Sequence, residues 1–346
     1  MESKRIGKGK IAFLAFLVIA GIAIIANHKN TRYITDEGYV FGTYYHITYS
    51  YNRSIQPEID KRLAMVDASL SPFNKRSIIT AVNENRDVRV DTMFRHVFGI
   101  AQSVSEATNG AFDITVAPLV NAWGFGFAKK DSITPGNIRE LQKAVGYRKV
   151  SLSEGGRVIK QNPATKLDCS AIAKGYGCDA VAALFNGLGI TDYLIEIGGE
   201  IVAKGKNAQN SLWSIGINRP VDDSTQAGDR IEAIVELTGC GMATSGNYRR
   251  FYYKNGKRYA HTIDPRTGFP VQHTLLSSTV IARNCATADA YATAFMVLGV
   301  DSAKKVLEEH PELEAYFIYS DAKGGNGVWM SPALARRMNN AKSQRR

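Results

Sequence analysis

The chain has 346 residues, 45% of them hydrophobic, and a formal net charge of +11 at pH 7. This length and composition favour one large globular domain, or two closely packed ones, with a full core. Residues 1–10 carry an excess of three positive charges and residues 333–346 an excess of five, which leaves an excess of only three between them. The chain therefore lacks the broad basic surface that duplex binding requires, and we expect no nucleic-acid partner.

The N-terminal segment is basic and then apolar. Four Lys and Arg residues in the first ten positions precede sixteen uncharged residues, 11–26. This order is typical of a signal peptide or an uncleaved signal anchor, although the apolar run is shorter than the ~20 residues that span a bilayer comfortably. We interpret residues 1–30 as a signal anchor or signal peptide. The anchor is favoured, which places the protein in the inner membrane with the rest of the chain on the periplasmic, exported side.

Beyond this segment, helices and strands alternate irregularly. In chain order, the patterns predict a strand at 43–50, helices at 57–70, 91–108, 135–146 and 171–189, strands at 193–199, 212–218, 231–237 and 277–283, helices at 284–299 and 301–310, and strands at 314–320 and 327–331. Strands concentrate in the second half, which favours an α+β fold over a regular βαβ repeat. We predict one domain over residues 31–335 and a basic tail at 336–346. The four cysteines form no CxxC pair, which argues against a zinc or redox motif.

Residues 239–248, GCGMATSGNY, resemble a phosphate-binding loop only in their glycine spacing, because the Lys and Ser/Thr of a P-loop are absent. We interpret them as a Gly/Ser/Thr-rich turn that includes Ser245. Such a turn either presents backbone N–H groups to an anion or is only a chain reversal.

Asp289 and Thr293 lie four residues apart in an alanine-rich helix, so their side chains share one face. Carboxylate and hydroxyl oxygens are ligands suited to Mg²⁺, which usually takes one or two protein carboxylates with phosphates and waters. The alternative is that Asp289 occupies the first helical turn, where the helix dipole favours an acid.

Two further acids and one turn have both a functional and a structural interpretation. Asp168 follows a short apolar strand and precedes a helix start, where it either caps the helix or, with Lys174, borders a phosphate site. Asp113 lies in an apolar run and needs a partner or a function, and the structural alternative is a hydrogen bond to the Asn109–Gly110 turn. In residues 261–268, HTIDPRTG, His261 precedes a proline and glycine turn and is either a catalytic group or part of that turn.

Six ordered segments together resemble the motifs of the ApbE family, the FAD:protein FMN transferases. The segments are TNGAFDITVAPLVNAWGFG (108–126), LDCSAIAKGYGCD (167–179), IEIGGEIVAKG (195–205), MATSGNYRRFY (242–252), HTIDPRTGFP (261–270) and ATADAYATAFMVLG (286–299). The similarity extends from about residue 41 to about residue 332. It implies a single domain of mixed, mainly antiparallel sheets with packed helices.

The resemblance also implies a Mg²⁺-dependent enzyme that transfers FMN from FAD to a Thr or Ser hydroxyl of a partner protein and releases AMP. It implies that Asp289, Thr293 and the carbonyl of Ala171 hold the metal and that His261 is the general base. The residues implied to line the FAD site are Phe41, Phe73, Ala111, Phe112, Asp113, Asp168, Lys174, Ser245 and Ile263. The implied partners are acceptor subunits of membrane electron-transport complexes.

Two departures from the family pattern concern the same site. Phe73 stands where many members have Tyr, and Ala292 stands where some members have a further acid. Two other functions remain open from the sequence: hydrolysis of FAD to FMN and AMP by the same site, and flavin binding without turnover.

Overall fold

The computed structural model describes residues 32–126, 134–220, 231–247, 251–254, 257–321 and 325–344, together with residues 13, 16, 17 and 19. The predicted signal anchor thus lies almost wholly outside the described residues. Within these ranges, no helix combines the length and the apolar character needed to cross a membrane.

The helices and strands beyond residue 31 have the following bounds. The helices are α1 (Gln56–Leu70), α2 (Ile78–Asn83), α3 (Thr92–Ala107), α4 (Ala117–Ala122), α5 (Pro135–Gln142), α6 (Ala173–Gly187), α7 (Cys285–Glu309) and α8 (Pro332–Gln344). The strands are β1 (Arg32–Val40), β2 (Thr43–Tyr51), β3 (Val150–Leu152), β4 (Val158–Lys160), β5 (Tyr193–Ile197), β6 (Glu200–Lys204), β7 (Trp213–Asn218), β8 (Ile231–Leu237), β9 (Cys240–Gly246), β10 (Phe251–Lys254), β11 (Lys257–Ala260), β12 (Leu275–Ala282), β13 (Glu314–Ser320) and β14 (Asn326–Met330).

One eight-stranded sheet organises the fold, in the order β1-β2-β5-β6-β9-β12-β13-β14. Every neighbouring pair in it is antiparallel. Three two-stranded antiparallel sheets, β3-β4, β7-β8 and β10-β11, accompany it. The predicted α+β class with mainly antiparallel sheets is therefore confirmed.

The large sheet is covered on both faces, so its central strands are apolar on both sides. Ala243 of β9 and Val280 of β12 pack on one face with the alanine-rich part of α7. Their neighbours in sequence, Met242 and Ile281, point to the opposite face and pack with the β7-β8 hairpin and Leu334 of α8. This alternation follows from the two-residue period of a strand, and it explains why β12 is almost entirely buried.

The structure corrects one sequence prediction and confirms another that the helix bounds alone would obscure. Residues 239–248 are not mainly a turn, because Cys240–Gly246 forms strand β9 between β6 and β12. Backbone pairing on both sides outweighs the weak strand propensity of Gly and Ser. The two helices predicted at 284–299 and 301–310 are confirmed, because α7 is divided at Gly299, whose φ of 74° and ψ of 173° are not helical and are adopted readily only by glycine.

The other predicted helices are present with shifted ends. The segment expected to be helical at 135–146 ends as α5 at Gln142, and α8 extends across the predicted domain boundary at residue 335. Strands β1, β3, β4, β6, β10 and β11 and the short helices α2 and α4 were not predicted. Strand β1 is polar and lies at the sheet edge, and most of the others are too short to show a period, whereas β6 is a buried central strand of five residues.

Candidate functional site

Helices α6 and α7 approach each other unusually closely where α6 begins. A Cβ atom on Gly175 would lie 2.4 Å from the carbonyl oxygen of Cys285, so only glycine permits this approach. As a result the Gly175 backbone N–H reaches across to α7 and donates a hydrogen bond of 3.1 Å to Asp289 Oδ2. The first turn of α6 is thereby fixed to the aspartate predicted as a metal ligand.

The Ala171 carbonyl lies just before α6, outside its hydrogen-bond ladder. The N-cap of α6 is Ile172, so Gly175 is its third residue and the Gly175 N–H has no acceptor within the helix. Here that N–H points to Asp289, and among the described residues no backbone N–H donates to the Ala171 carbonyl. The oxygen is therefore available to a ligand, as the family resemblance implied.

Asp289 is a buried carboxylate with a side chain 3% exposed. Burial raises its pKa, and the Lys174 ammonium and the Gly175 N–H act in the opposite direction. Helix α7 begins with Asn284 as its N-cap and has no acid in its first turn, so a favourable dipole at the helix start does not explain Asp289. Within the described ranges, Oδ2 has the one donor described above, and no hydrogen bond is formed at Oδ1.

Thr293 lies one turn further along α7, on the same face as Asp289. Its Oγ1 is 3.2 Å from Ser245 Oγ on β9, the strand beneath the helix. Asp289, Thr293 and Ser245 are thus brought together by the packing of α7 on β9, and the start of α6 is brought to Asp289.

A second buried carboxylate, Glu200, borders this junction and was not predicted from the sequence. Glu200 Oε1 is 2.5 Å from Lys174 Nζ, and the side chains are 4% and 29% exposed. Burial raises the pKa of Glu200 to about 7, although the ammonium opposes this. Burial alone would lower the pKa of Lys174, but Glu200 and Asp289 raise it above its ordinary value. The sequence feature that could have identified Glu200 is its position as an acid directly after two glycines in an otherwise apolar hairpin.

The donor atoms around Asp289 suit a hard divalent cation. They are a carboxylate with an uncommitted oxygen, a carbonyl without a backbone donor and a threonine hydroxyl, all of them oxygens. The described residues contain no group of three His, Cys, Asp or Glu side chains arranged to hold a metal. Among the predicted ligands Asp289 is the one carboxylate, and a set made only of oxygens fits Mg²⁺ better than a softer metal.

Asp168 and Asp113 are held by local hydrogen bonds. Asp168 Oδ1 accepts from Ser170 N at 2.8 Å, so this acid forms a turn rather than a helix cap or a strand end. Asp113 is buried, and its oxygens accept from Thr115 and from Tyr147 N rather than from the Asn109–Gly110 turn. Ala111 and Phe112, which precede it, are also buried.

The two phenylalanines differ in their surroundings. Phe41 lies in the turn of the β1-β2 hairpin at φ 52° and packs against the cores on both sides of α6. Its ring lies next to Gly177, where a Cβ would be 2.7 Å from Phe41 Cε2. Phe73 is 69% exposed. Phe41 therefore borders the α6 side of the site, whereas the environment of Phe73 does not explain its predicted contact with FAD.

His261 and Ile263 precede the turn predicted at 264–268. Asp264 accepts hydrogen bonds from Arg266, and the turn carbonyls accept from Gln142 Nε2 and Trp123 Nε1. Ile263 is buried. His261 is partly exposed, with its ring centroid 6.4 Å from that of Phe125. The turn is confirmed, and it fixes the segment that carries both predicted site residues.

Relatives of known identity resemble this chain over most of its length. A protein of Haemophilus influenzae named FAD:protein FMN transferase is 39% identical over 89% of this chain and 92% of the relative. A protein of Vibrio cholerae with the same name is 34% identical over 86% of this chain and 90% of the relative.

Solved structures agree with the sequence comparison. The flavin transferase ApbE from Vibrio cholerae superposes with a TM-score of 0.79 at 33% identity, over 89% of this chain and 99% of that one. The apo form of the Pseudomonas stutzeri flavinyl transferase ApbE has a TM-score of 0.79 at 30% identity, over 89% and 97%. The family model described as "ApbE family" matches residues 41–317. This chain therefore belongs to the ApbE family.

Proposed function

We propose that this protein transfers FMN from FAD to a Thr or Ser hydroxyl of a partner protein, with Mg²⁺ and with release of AMP. The observation that carries the proposal is the α6–α7 junction. There the Gly175 N–H, which has no acceptor within α6, donates to Asp289, and among the described residues no backbone N–H donates to the Ala171 carbonyl. Family membership and relatives named FAD:protein FMN transferase support the choice of flavin chemistry.

The proposed metal ligands are Asp289, Thr293 and the Ala171 carbonyl. A Mg²⁺ ion bound there would neutralise charge on the FAD diphosphate as it is cleaved. Lys174, in the first turn of α6, would bind a phosphate oxygen, where both its charge and the helix N-terminus favour an anion. Phe41, beside α6, would offer an apolar face to a ring of FAD.

His261 is the proposed general base. The acceptor oxygen forms a bond to the phosphorus on the FMN side, and the bond from that phosphorus to the oxygen of AMP breaks. His261 takes the hydroxyl proton, because a neutral imidazole is a suitable acceptor near pH 7.

Ser245 would fix the Thr293 hydroxyl. The proposed FAD site is completed by Ile263, Ala111, Phe112, Asp113, Asp168 and Phe73.

We also propose that the protein acts on the exported face of the inner membrane, on acceptor subunits of electron-transport complexes. The basic and apolar order of residues 1–26 supports an N-terminal anchor. An alkaline phosphatase fusion after residue 31 tests this location. High phosphatase activity in the membrane fraction is expected, and an inactive fusion would contradict export.

Product analysis tests the chemistry. The purified protein, FAD and an acceptor subunit are incubated with Mg²⁺ or with EDTA, and AMP and free FMN are quantified by chromatography. We expect AMP without an equal amount of free FMN, and only with Mg²⁺. Equal amounts of both would indicate FAD hydrolysis, and unchanged FAD would indicate a flavin-binding protein.

A further inference from the structure

Glu200 is placed in contact with α6 by two interactions on one face of that helix. Lys174 and Cys178 are four residues apart, so their side chains point in the same direction. Lys174 Nζ is 2.5 Å from Glu200 Oε1, and Cys178 Sγ donates to the Glu200 backbone oxygen at 3.2 Å. The start of β6 is therefore fixed to the first two turns of α6.

Lys174 contacts only one of the two oxygens of the Glu200 carboxylate. Glu200 Oε2 is buried, and no hydrogen-bond donor among the described residues reaches it. A buried carboxylate oxygen without a donor costs free energy, which a purely structural ion pair would be expected to avoid. The stability of the fold alone therefore does not explain this ion pair.

Lys174 retains the capacity to bind an anion. An ammonium group has three N–H donors, and Glu200 Oε1 engages one of them. The lysine side chain is 29% exposed, whereas that of Glu200 is 4% exposed, so the ammonium is the member of the pair that a ligand can reach.

A lysine in this position without an acidic partner would be poorly suited to binding an anion. Burial disfavours the ammonium, and a flexible four-carbon side chain loses entropy when it is held in one geometry. An adjacent carboxylate offsets both effects, because it keeps the ammonium charged and fixes its direction before the anion arrives.

We propose that Glu200 is a positioning residue that holds the Lys174 ammonium, charged and oriented, at the diphosphate of FAD. This inference rests on the proposed function, since it takes FAD as the ligand. Glu200 acts through Lys174, and its substitution affects FAD binding before any chemical step.

A double-mutant cycle tests the proposal. FAD affinity is measured by calorimetry in EDTA, where no turnover occurs, for the wild type, Glu200→Gln, Lys174→Met and the double variant. Loss of a hydrogen bond to a charged group weakens binding by about tenfold or more. We expect such a loss in Glu200→Gln and little further loss when the same substitution is added to Lys174→Met.

The control is Glu196→Gln, which removes a more exposed acid from the same hairpin, 3.3 Å from His46. It should bind FAD as the wild type does. Equal or tighter FAD binding by Glu200→Gln, or additive effects of the two substitutions, would overturn the proposal and leave the transferase function intact. The same holds if Glu200→Gln unfolds while Lys174→Met is folded and binds FAD normally, because the pair is then structural. Absence of FAD binding by the wild type would instead refute both.

Discussion

Asp289 is the one carboxylate among the proposed metal ligands, and its Oδ2 is already engaged by the Gly175 N–H. We expect Asp289→Asn to keep an oxygen acceptor for that N–H while removing the charge that attracts Mg²⁺. Loss of an outer-shell partner typically weakens metal binding by ~10–100-fold, so loss of the charged ligand should exceed ~100-fold. The measurement is the Mg²⁺ dependence of AMP release.

Excess Mg²⁺ should restore part of the activity of Asp289→Asn, because two oxygen ligands remain. The matched control is Asp301→Asn, which changes an exposed acid on the same helix and should leave the Mg²⁺ dependence unchanged. Full activity of Asp289→Asn at low Mg²⁺ would show that Asp289 does not bind the metal.

His261 is tested by separating binding from chemistry. Removal of a general base slows a reaction by roughly 10²–10⁴-fold, so His261→Ala should slow FMN transfer to that extent while FAD affinity changes little. Single-turnover transfer and FAD calorimetry provide the two measurements. His46→Ala, which removes a half-exposed histidine from β2, is the control. An undiminished rate in His261→Ala would remove this residue from the mechanism.

At the level of single residues, the sequence was most informative where two polar residues were separated by one helical turn. The four-residue interval between Asp289 and Thr293 predicts a shared helix face, and the structure has both on one face of α7. Glu200 was missed because its significance depends on Lys174, which is far away in sequence and close only after β6 docks on α6. The hydrogen bond from Gly175 to Asp289 was likewise unpredictable from local pattern, because it depends on a contact between two helices.

The α6–α7 contact is the structural element on which the site depends. Gly175→Ala would place a methyl group 2.4 Å from the Cys285 carbonyl oxygen. Overpacking of this kind typically costs ~1–3 kcal/mol, and here it would also separate Asp289 from its donor. We expect a lower free energy of unfolding in urea and weaker Mg²⁺ binding.

Gly187→Ala is the matched control for this prediction. Gly187 ends the same helix, and a Cβ there would meet nothing within 4 Å. Alanine is the better helix former by ~1 kcal/mol, so this variant should be as stable as the wild type or more so. A Gly175→Ala protein with unchanged stability and Mg²⁺ affinity would show that the close approach is not required.

Elements with a strong amphipathic period were predicted well, and α1 and α3 lie within two residues of their expected bounds. Strand β9 was misread because its Gly, Ser and Thr residues favour turns locally, whereas its two neighbouring strands supply the pairing that makes it a strand. The polar edge strand β1 was missed for a related reason, since its side chains show no apolar alternation. In both cases, pairing with neighbouring strands rather than the local sequence makes the segment a strand.

For the whole molecule, His273 contributes to the pH dependence of stability, because both nitrogens of its ring are engaged by the backbone although the residue is exposed. His273 Nδ1 accepts from Leu275 N, and its Nε2 is 2.8 Å from the Met296 oxygen. Desolvation of the ring lowers the pKa of His273 below the ordinary value, although backbone hydrogen bonds oppose this. The unfolded chain therefore binds the proton more readily, and stability is lost as the pH falls below ~6.5.

We expect His273→Gln to reduce the difference between the urea midpoints at pH 7.5 and pH 5.5, because the titrating group is absent. An unchanged difference in His273→Gln would mean that other groups dominate the acid sensitivity.

The central claim concerns a covalent bond to a partner protein, so the most direct test is the intact mass of an acceptor. A flavoprotein subunit of an electron-transport complex is co-expressed with this protein or with its Asp289→Asn variant, purified and analysed by mass spectrometry. We predict a gain of one FMN, less water, on a Thr or Ser with the wild type and no gain with the variant. An unmodified acceptor in the presence of the wild-type protein, at a Mg²⁺ concentration where FAD is consumed, would contradict the account.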